Sequence, residues 1–212
     1  LPFYGFDEIA LAIGHGDRVT GHYSRWLAER HPDPDSLRGP ANALAANRDI
    51  ATPQAWRTRI PEELYPTSFI AEQTTAFFER QGKAGNDQPF FVQCSFPDPH
   101  HPFTAPGRYF DMYDPADIPT PAAFHHPADK LPPHLAQIHR ERDEGRAKKN
   151  AQRAFACTEE EARHAIALNY GAISMIDDAI GGVLQSLAEN GLADNTVVIF
   201  TTDHGDFMGD HQ

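Results

Sequence analysis

Two short runs of this chain carry residue types suited to chemistry. The first is Thr201-Thr202-Asp203-His204-Gly205-Asp206, followed closely by Gly209-Asp210-His211. Carboxylate oxygens and imidazole nitrogens both ligate divalent cations, at roughly 2.0–2.6 Å depending on the ion. Asp203 and His204 are therefore the candidate metal ligands. Asp206 and Asp210 are candidates for further ligands or for acceptors that orient the imidazoles of His204 and His211. The second run is Phe96-Pro97-Asp98-Pro99-His100-His101-Pro102-Phe103. Prolines at 97, 99 and 102 restrict the backbone, so two imidazoles are held with little ordering cost on binding. A rigid histidine there can donate to an anionic oxygen or protonate a leaving group. Taken singly, each run also reads as a helix cap or a proline-rich turn without chemistry.

Both runs follow segments with the character of strands. Residues 89–96 and 196–201 are short apolar runs bounded by turn residues, the pattern of a buried strand. In open α/β sheets, ligands sit beyond the carboxyl ends of the strands, which is where both runs would emerge. Between them, helical spacing predicts a helix over 68–81, ended by Gly82, Gly85 and Asn86. A longer helix is predicted from Thr158, its N-cap, with Gly191 just past its end. Residues 97–135 are too rich in proline for regular structure, yet their aromatics favour an ordered loop. Strand, ordered loop, long helix, strand predicts an α/β domain with a mostly parallel sheet covered by helices on both faces.

Composition excludes several classes. The formal net charge of −12 argues against nucleic acid or an anionic membrane as a partner. It would also repel an anionic substrate unless a metal or a local basic cluster reverses the field at the site. No apolar run approaches the roughly 20 residues that span a bilayer, and no signal peptide is evident, so a soluble protein is expected. Cys94 and Cys157 lack zinc-type spacing and read as reduced, partly buried thiols. His15 and Asp17 are weaker candidates for lining the pocket mouth. The tripeptide His-Gly-Asp occurs at 15–17 and again at 204–206, a match too short to indicate duplication. His125-His126 read as loop packing, and at least one of Asp177-Asp178 as solvated or hydrogen-bonded.

Three segments together resemble the sulfatase family. Pro99-His100-His101-Pro102-Phe103-Thr104-Ala105-Pro106 is similar to its Pro-His-x-Pro-hydrophobic-x-x-Pro segment. Asn169-Tyr170-Gly171-Ala172-Ile173-Ser174-Met175-Ile176-Asp177-Asp178 resembles its long helix, and Thr196 through Asp206 its metal-binding strand and turn. The resemblance implies an alkaline-phosphatase-like fold and hydrolysis of small sulfate esters, or of related phosphonate or phosphate esters. It implies a formylglycine nucleophile and one divalent cation, Ca²⁺ or Mn²⁺/Zn²⁺. It makes Asp203 and His204 metal ligands and His100 the active-site histidine that helps the leaving group depart. His101, Asp206 and His211 fall behind these groups or on the substrate side. Histidine at the second ligand position is common in the branch that includes phosphonate monoester hydrolases, which keeps that activity as an alternative. A non-catalytic relative is the other.

The departures from the family pattern are specific. Neither cysteine lies in a Cys/Ser-x-Pro/Ala-x-Arg motif, so no nucleophile is assigned in this chain, and the family's first aspartate pair has no counterpart. Residues 1–212 are therefore expected to form part of one catalytic domain, incomplete at both ends. The corresponding prediction is that the purified 212-residue chain does not turn over aryl sulfates or phosphodiesters. Measurable hydrolysis by that chain alone would refute it.

Overall fold

The computed structural model describes residues 4–45, 50–85, 88–127, 130–151 and 153–211. Its scaffold is helical. Helix α1 (His22–Arg30) and helix α2 (Pro66–Ala84) pack through Tyr23, Trp26, Leu27, Phe69 and Ile70. Pro66 sits at the first helical position of α2, where the missing N–H has no helical partner to lose. The helix extends a few residues beyond the expected 68–81 and ends at Gly85, which is left-handed; Asn86 lies outside the described residues. A short helix α3 (Pro133–Asp143) lies within the charged stretch, and α4 (Glu159–Glu189) is the longest element. Thr158 caps α4 as expected. Its hydroxyl accepts the Glu161 N–H at 3.1 Å, and the Glu161 carboxylate accepts the Thr158 N–H at 2.7 Å. Gly191 follows with φ +70.

Helices α2 and α4 meet through Phe78, Val183 and Leu187. Farther along α4, Ala172 and Met175 pack on Ile60, Tyr65, Ala105 and Tyr109. The proline-rich segment is thus ordered, and its aromatics pack as expected: Phe103 and Phe110 are buried against Ala165 and Leu168 of α4. Of the acidic pair on α4, Asp178 accepts from the Tyr109 hydroxyl at 2.7 Å and from Arg108 at 2.8 Å.

The sheet differs from expectation. The paired strands among the described residues are β1 (Ala12–Ile13) and β2 (Thr20–Gly21), antiparallel, with Ala12 opposite Gly21 and Ile13 opposite Thr20. Residues 89–96 and 196–201 join no ladder among the described residues. A strand is stable only with a neighbour to take its backbone hydrogen bonds. Residues 90–96 nevertheless keep a strand's period of two. Phe90, Val92, Cys94 and Phe96 pack on the helical cores, while Phe91, Gln93 and Ser95 face outward. Residues 197–200 are largely uncovered among the described residues: Val197, Val198, Ile199 and Phe200 are 88, 57, 81 and 83% exposed.

Three glycines of α4 separate propensity from packing. A Cβ on Gly171 would overlap the Tyr109 carbonyl oxygen, whereas Gly181 and Gly182 have open space around them. Replacing a helical glycine with alanine gains roughly 1 kcal/mol from propensity, but forcing backbone apart in a packed core costs about 1–3 kcal/mol. Gly181→Ala and Gly182→Ala should therefore raise the urea midpoint, and Gly171→Ala should lower it.

Candidate active site

The chemistry-bearing loops are positioned by buried polar groups. Strands β1 and β2 close a loop over 14–19 that carries His15, Gly16 and Asp17. Asp17 is fully buried, which corrects its expected place at a pocket mouth. Its Oδ2 accepts from the Gly39 N–H at 2.9 Å, Trp56 Nε1 at 2.8 Å and the Thr58 hydroxyl at 2.9 Å. Three donors offset the cost of burying the carboxylate, although Oδ1 is buried without a partner among the described residues.

The Asp17 N–H reaches the second loop by donating to Thr104 Oγ1 at 2.8 Å. Thr104 and the Tyr65 hydroxyl share a hydrogen bond of 2.9 Å. Tyr65 makes a long contact of 3.5 Å to Asp98, which also accepts from Thr67 at 3.2 Å. The two loops touch where Gly16 has no side chain, since a Cβ there would lie 2.7 Å from the Pro102 carbonyl oxygen and from Thr104 Oγ1. Gly16 also has φ +56, which glycine adopts without strain. Helix α4 braces the loop from the other side, where Asn169 Nδ2 donates to the Pro99 carbonyl at 3.3 Å.

This clamp gathers four imidazoles. His15 stacks on His100 with ring centroids 3.7 Å apart and planes 11° from parallel. His101 lies on His100 at 4.3 Å, and His204 meets His100 edge-on at 6.5 Å. His100 Nδ1 is 2.5 Å from the His101 carbonyl oxygen, a hydrogen bond that needs the proton on Nδ1 and leaves Nε2 for other partners. Burial lowers the basicity of His15 and of His101, and the neighbouring His100 lowers both further. The structure thus brings His100, His101 and His204 together, and adds His15.

Asp203 and His204 are exposed and adjacent, with Oδ2 and Nε2 3.6 Å apart. Two ligands roughly 2.1–2.2 Å from one tetrahedral ion stand about 3.5 Å apart, so the pair fits neighbouring positions of a shared cation. His204 Nδ1 lies 2.8 Å from the Gly205 carbonyl oxygen. A proton held there leaves Nε2 as the lone-pair donor, the arrangement common to metal-binding histidines. Asp203 is held below the usual carboxylate range, first by the His204 N–H it accepts at 2.9 Å. His204 is raised by its hydrogen bond to Gly205 and then by the charge of Asp203. No group of three or more ligating side chains is assembled for a metal among the described residues.

Asp206 is close enough to raise His101 and His204 electrostatically. His211 lies in a different cluster. Its ring stacks on His126, with the Nδ1 atoms 3.2 Å apart, and its carbonyl oxygen lies 2.8 Å from His139 Nε2. Both thiols are unpaired, and burial pushes Cys94 up and Cys157 to about 11, so neither is a ready thiolate at neutral pH.

The family model for sulfatases matches residues 12–212. The chain belongs to the sulfatase family. It is 35% identical over 150 residues to an arylsulfatase of Clostridium perfringens, covering 71% of this chain and 28% of that protein. It is 34% identical over 158 residues to the multifunctional alkaline phosphatase superfamily protein PehA of Trinickia caryophylli, covering 73% of this chain and 30% of that protein. The crystal structure of the phosphonate monoester hydrolase of Agrobacterium radiobacter superimposes with a TM-score of 0.67 at 26% identity. That match covers 89% of this chain and 37% of the hydrolase. This sulfatase chain thus spans about a third of the length of the proteins it matches.

The buried carboxylate under the histidine loop gives a pH signature. Burial raises Asp98 to about 6, against the smaller opposing effects of Thr67 and Tyr65. An acid raised on folding contributes stability that is present below its unfolded value near 4 and lost as pH rises to about 6. The loss is on the order of 2–3 kcal/mol. Asp98→Asn should thus melt higher than the unsubstituted chain at pH 7.5, with the difference shrinking toward pH 4. A melting difference that is constant across this range would contradict the assignment.

Proposed function

We propose that this chain forms part of the active site of a metal-dependent sulfate ester hydrolase. The observation that carries the reading is the meeting of His100 with the Asp203-His204 pair, which lies far from it in sequence. Family membership supplies the reaction class, and the Clostridium arylsulfatase is a named relative with that activity. An alkaline-phosphatase-like scaffold, with 89–96 and 196–201 as neighbouring strands of a mostly parallel sheet, agrees with the period-two burial of residues 90–96. One catalytic domain would contain all of 1–212, with the nucleophile, a formylglycine, supplied by residues other than these.

In this reading Asp203 Oδ and His204 Nε2 hold one divalent cation. When bound, the cation polarises the ester oxygens and offsets the negative charge of both substrate and protein. Imidazole nitrogen favours Mn²⁺ or Zn²⁺ over an all-oxygen Ca²⁺ site, while the carboxylate suits each. His100 acts at Nε2. With the Nδ1 proton engaged by the His101 carbonyl, His100 acts as an acid in its doubly protonated form. The Nε2 proton passes to the bridging oxygen as its bond to sulfur breaks and sulfur bonds to the nucleophile's oxygen, leaving neutral imidazole. His101 and Asp206 stand beside this path, and Asp206 offsets charge that accumulates on His101. His211, stacked on His126 in a separate cluster, is given no part in this reading.

A second reading is phosphonate monoester or phosphodiester hydrolysis on the same residues. The likeness to the Agrobacterium hydrolase favours it, and so does histidine rather than asparagine at position 204. The two readings share the metal pair and His100 and differ in the acid group accepted.

The test uses protein expressed from the complete coding sequence. His100→Ala should lower kcat for phenyl sulfate, whose poor leaving group needs a proton, by roughly 10²–10⁴-fold, the cost of removing a general acid. Asp203→Asn and His204→Ala should lower the divalent metal bound per protein, read by elemental analysis. Full metal content in both variants would refute the ligand assignment. Faster turnover of phenyl phosphonate than of aryl sulfate would select the second reading.

A further inference from the structure

We infer that His15 is a positioning residue for His100: its ring, fixed by the 14–19 loop, holds the His100 imidazole in its working plane. The inference rests on the role proposed for His100 and adds a residue that neither the metal pair nor the proline-rich run contains. Three observations carry it. First, the rings lie face to face, 3.7 Å between centroids and 11° between planes, closer and flatter than the His100–His101 contact at 4.3 Å and 29°.

Second, the rest of the His100 residue is already anchored. Its backbone N–H donates to the Pro97 carbonyl at 3.3 Å, and its ring Nδ1 lies 2.5 Å from the His101 carbonyl oxygen. The ring plane is the freedom left for a stacked neighbour to fix. Third, the 14–19 loop cannot slide away from the proline loop. Gly16 abuts the Pro102 carbonyl, and the Asp17 N–H is bonded to Thr104. The Nδ1 hydrogen bond of His100 fixes one atom of its ring but leaves rotation about that contact; a flat surface against the ring face removes it.

Holding the acid matters most when the leaving group is poor, because the bond then breaks only as the proton arrives. The test compares His15→Ala, His15→Phe and His100→Ala in protein from the complete coding sequence. Each is assayed with a nitrophenyl ester and with the corresponding unsubstituted phenyl ester. His15→Ala should lower kcat on the phenyl ester on the order of 10–100-fold, the scale of a misplaced catalytic group, and change the nitrophenyl ester far less. His15→Phe keeps a flat ring without the imidazole nitrogens, and it should recover most of the loss. Where His15→Ala fails to fold, His15→Asn takes its place, keeping a donor without a ring.

An equal fall with both esters, or a raised KM with kcat unchanged, would overturn the inference in favour of a structural role or direct substrate contact. Discrimination between esters in His100→Ala but not in His15→Ala also overturns it, and leaves the proposed function standing. A flat response in His100→Ala itself would overturn the acid role of His100 and this inference together.

Discussion

The carboxylate of Asp17 is the constraint from which the rest of the candidate site follows. The carboxyl group is taken wholly out of water, and one of its oxygens collects three donors from two separate stretches of chain, one at Gly39 and one at Trp56 and Thr58. Removing it would leave those donors buried and unpaired, each at about 1–3 kcal/mol and not additively. Arg38 closes the same knot by donating to the Asp17 and Val19 carbonyls at 3.0 and 2.6 Å. The irregular segments between α1 and α2 are therefore ordered by polar contacts more than by secondary structure. From Asp17 the order passes through Thr104 and Tyr65 to the loop that carries His100.

The local electrostatics run against the composition. A chain with net charge −12 has gathered four imidazoles at one place, with Asp203 and Asp206 beside them. Stacked imidazoles resist being charged together, so the cluster offers donors and lone pairs rather than a block of fixed positive charge. Under the proposed function, such a site would depend on a bound cation to attract an anionic ester.

The parts that were legible in sequence are those written in periodicity or in local chemistry. The N-cap of α4 at Thr158 and the helix after Pro66 follow from short-range rules, and each is found. The Asp203-His204 and Pro99-His100-His101-Pro102 runs were legible because unusual residue types stand next to one another. Asp17 was read wrongly because burial of a lone carboxylate depends on donors from positions 39, 56 and 58, which no local pattern connects. His15 was visible only as a weaker pocket-mouth candidate and as half of a repeated His-Gly-Asp tripeptide, and the structure sets the histidines of both copies against His100. Strand pairing for 196–201 was beyond local reading for the same reason, since an apolar run specifies a preference for neighbours but not their presence.

The hydrogen bond from Asp17 to Thr104 joins residues 87 positions apart in the chain. Closing a loop of that length has an entropic cost that must be met before the bond forms, so contacts of this kind arise late, after local helices have appeared. The histidine cluster inherits that timing. A partly folded chain holds His15 and His100 on unconnected loops, and reactive geometry comes into being only when the last long-range contact closes. Competence is in this sense a certificate of completed folding, issued by a hydroxyl group on a threonine that touches no substrate.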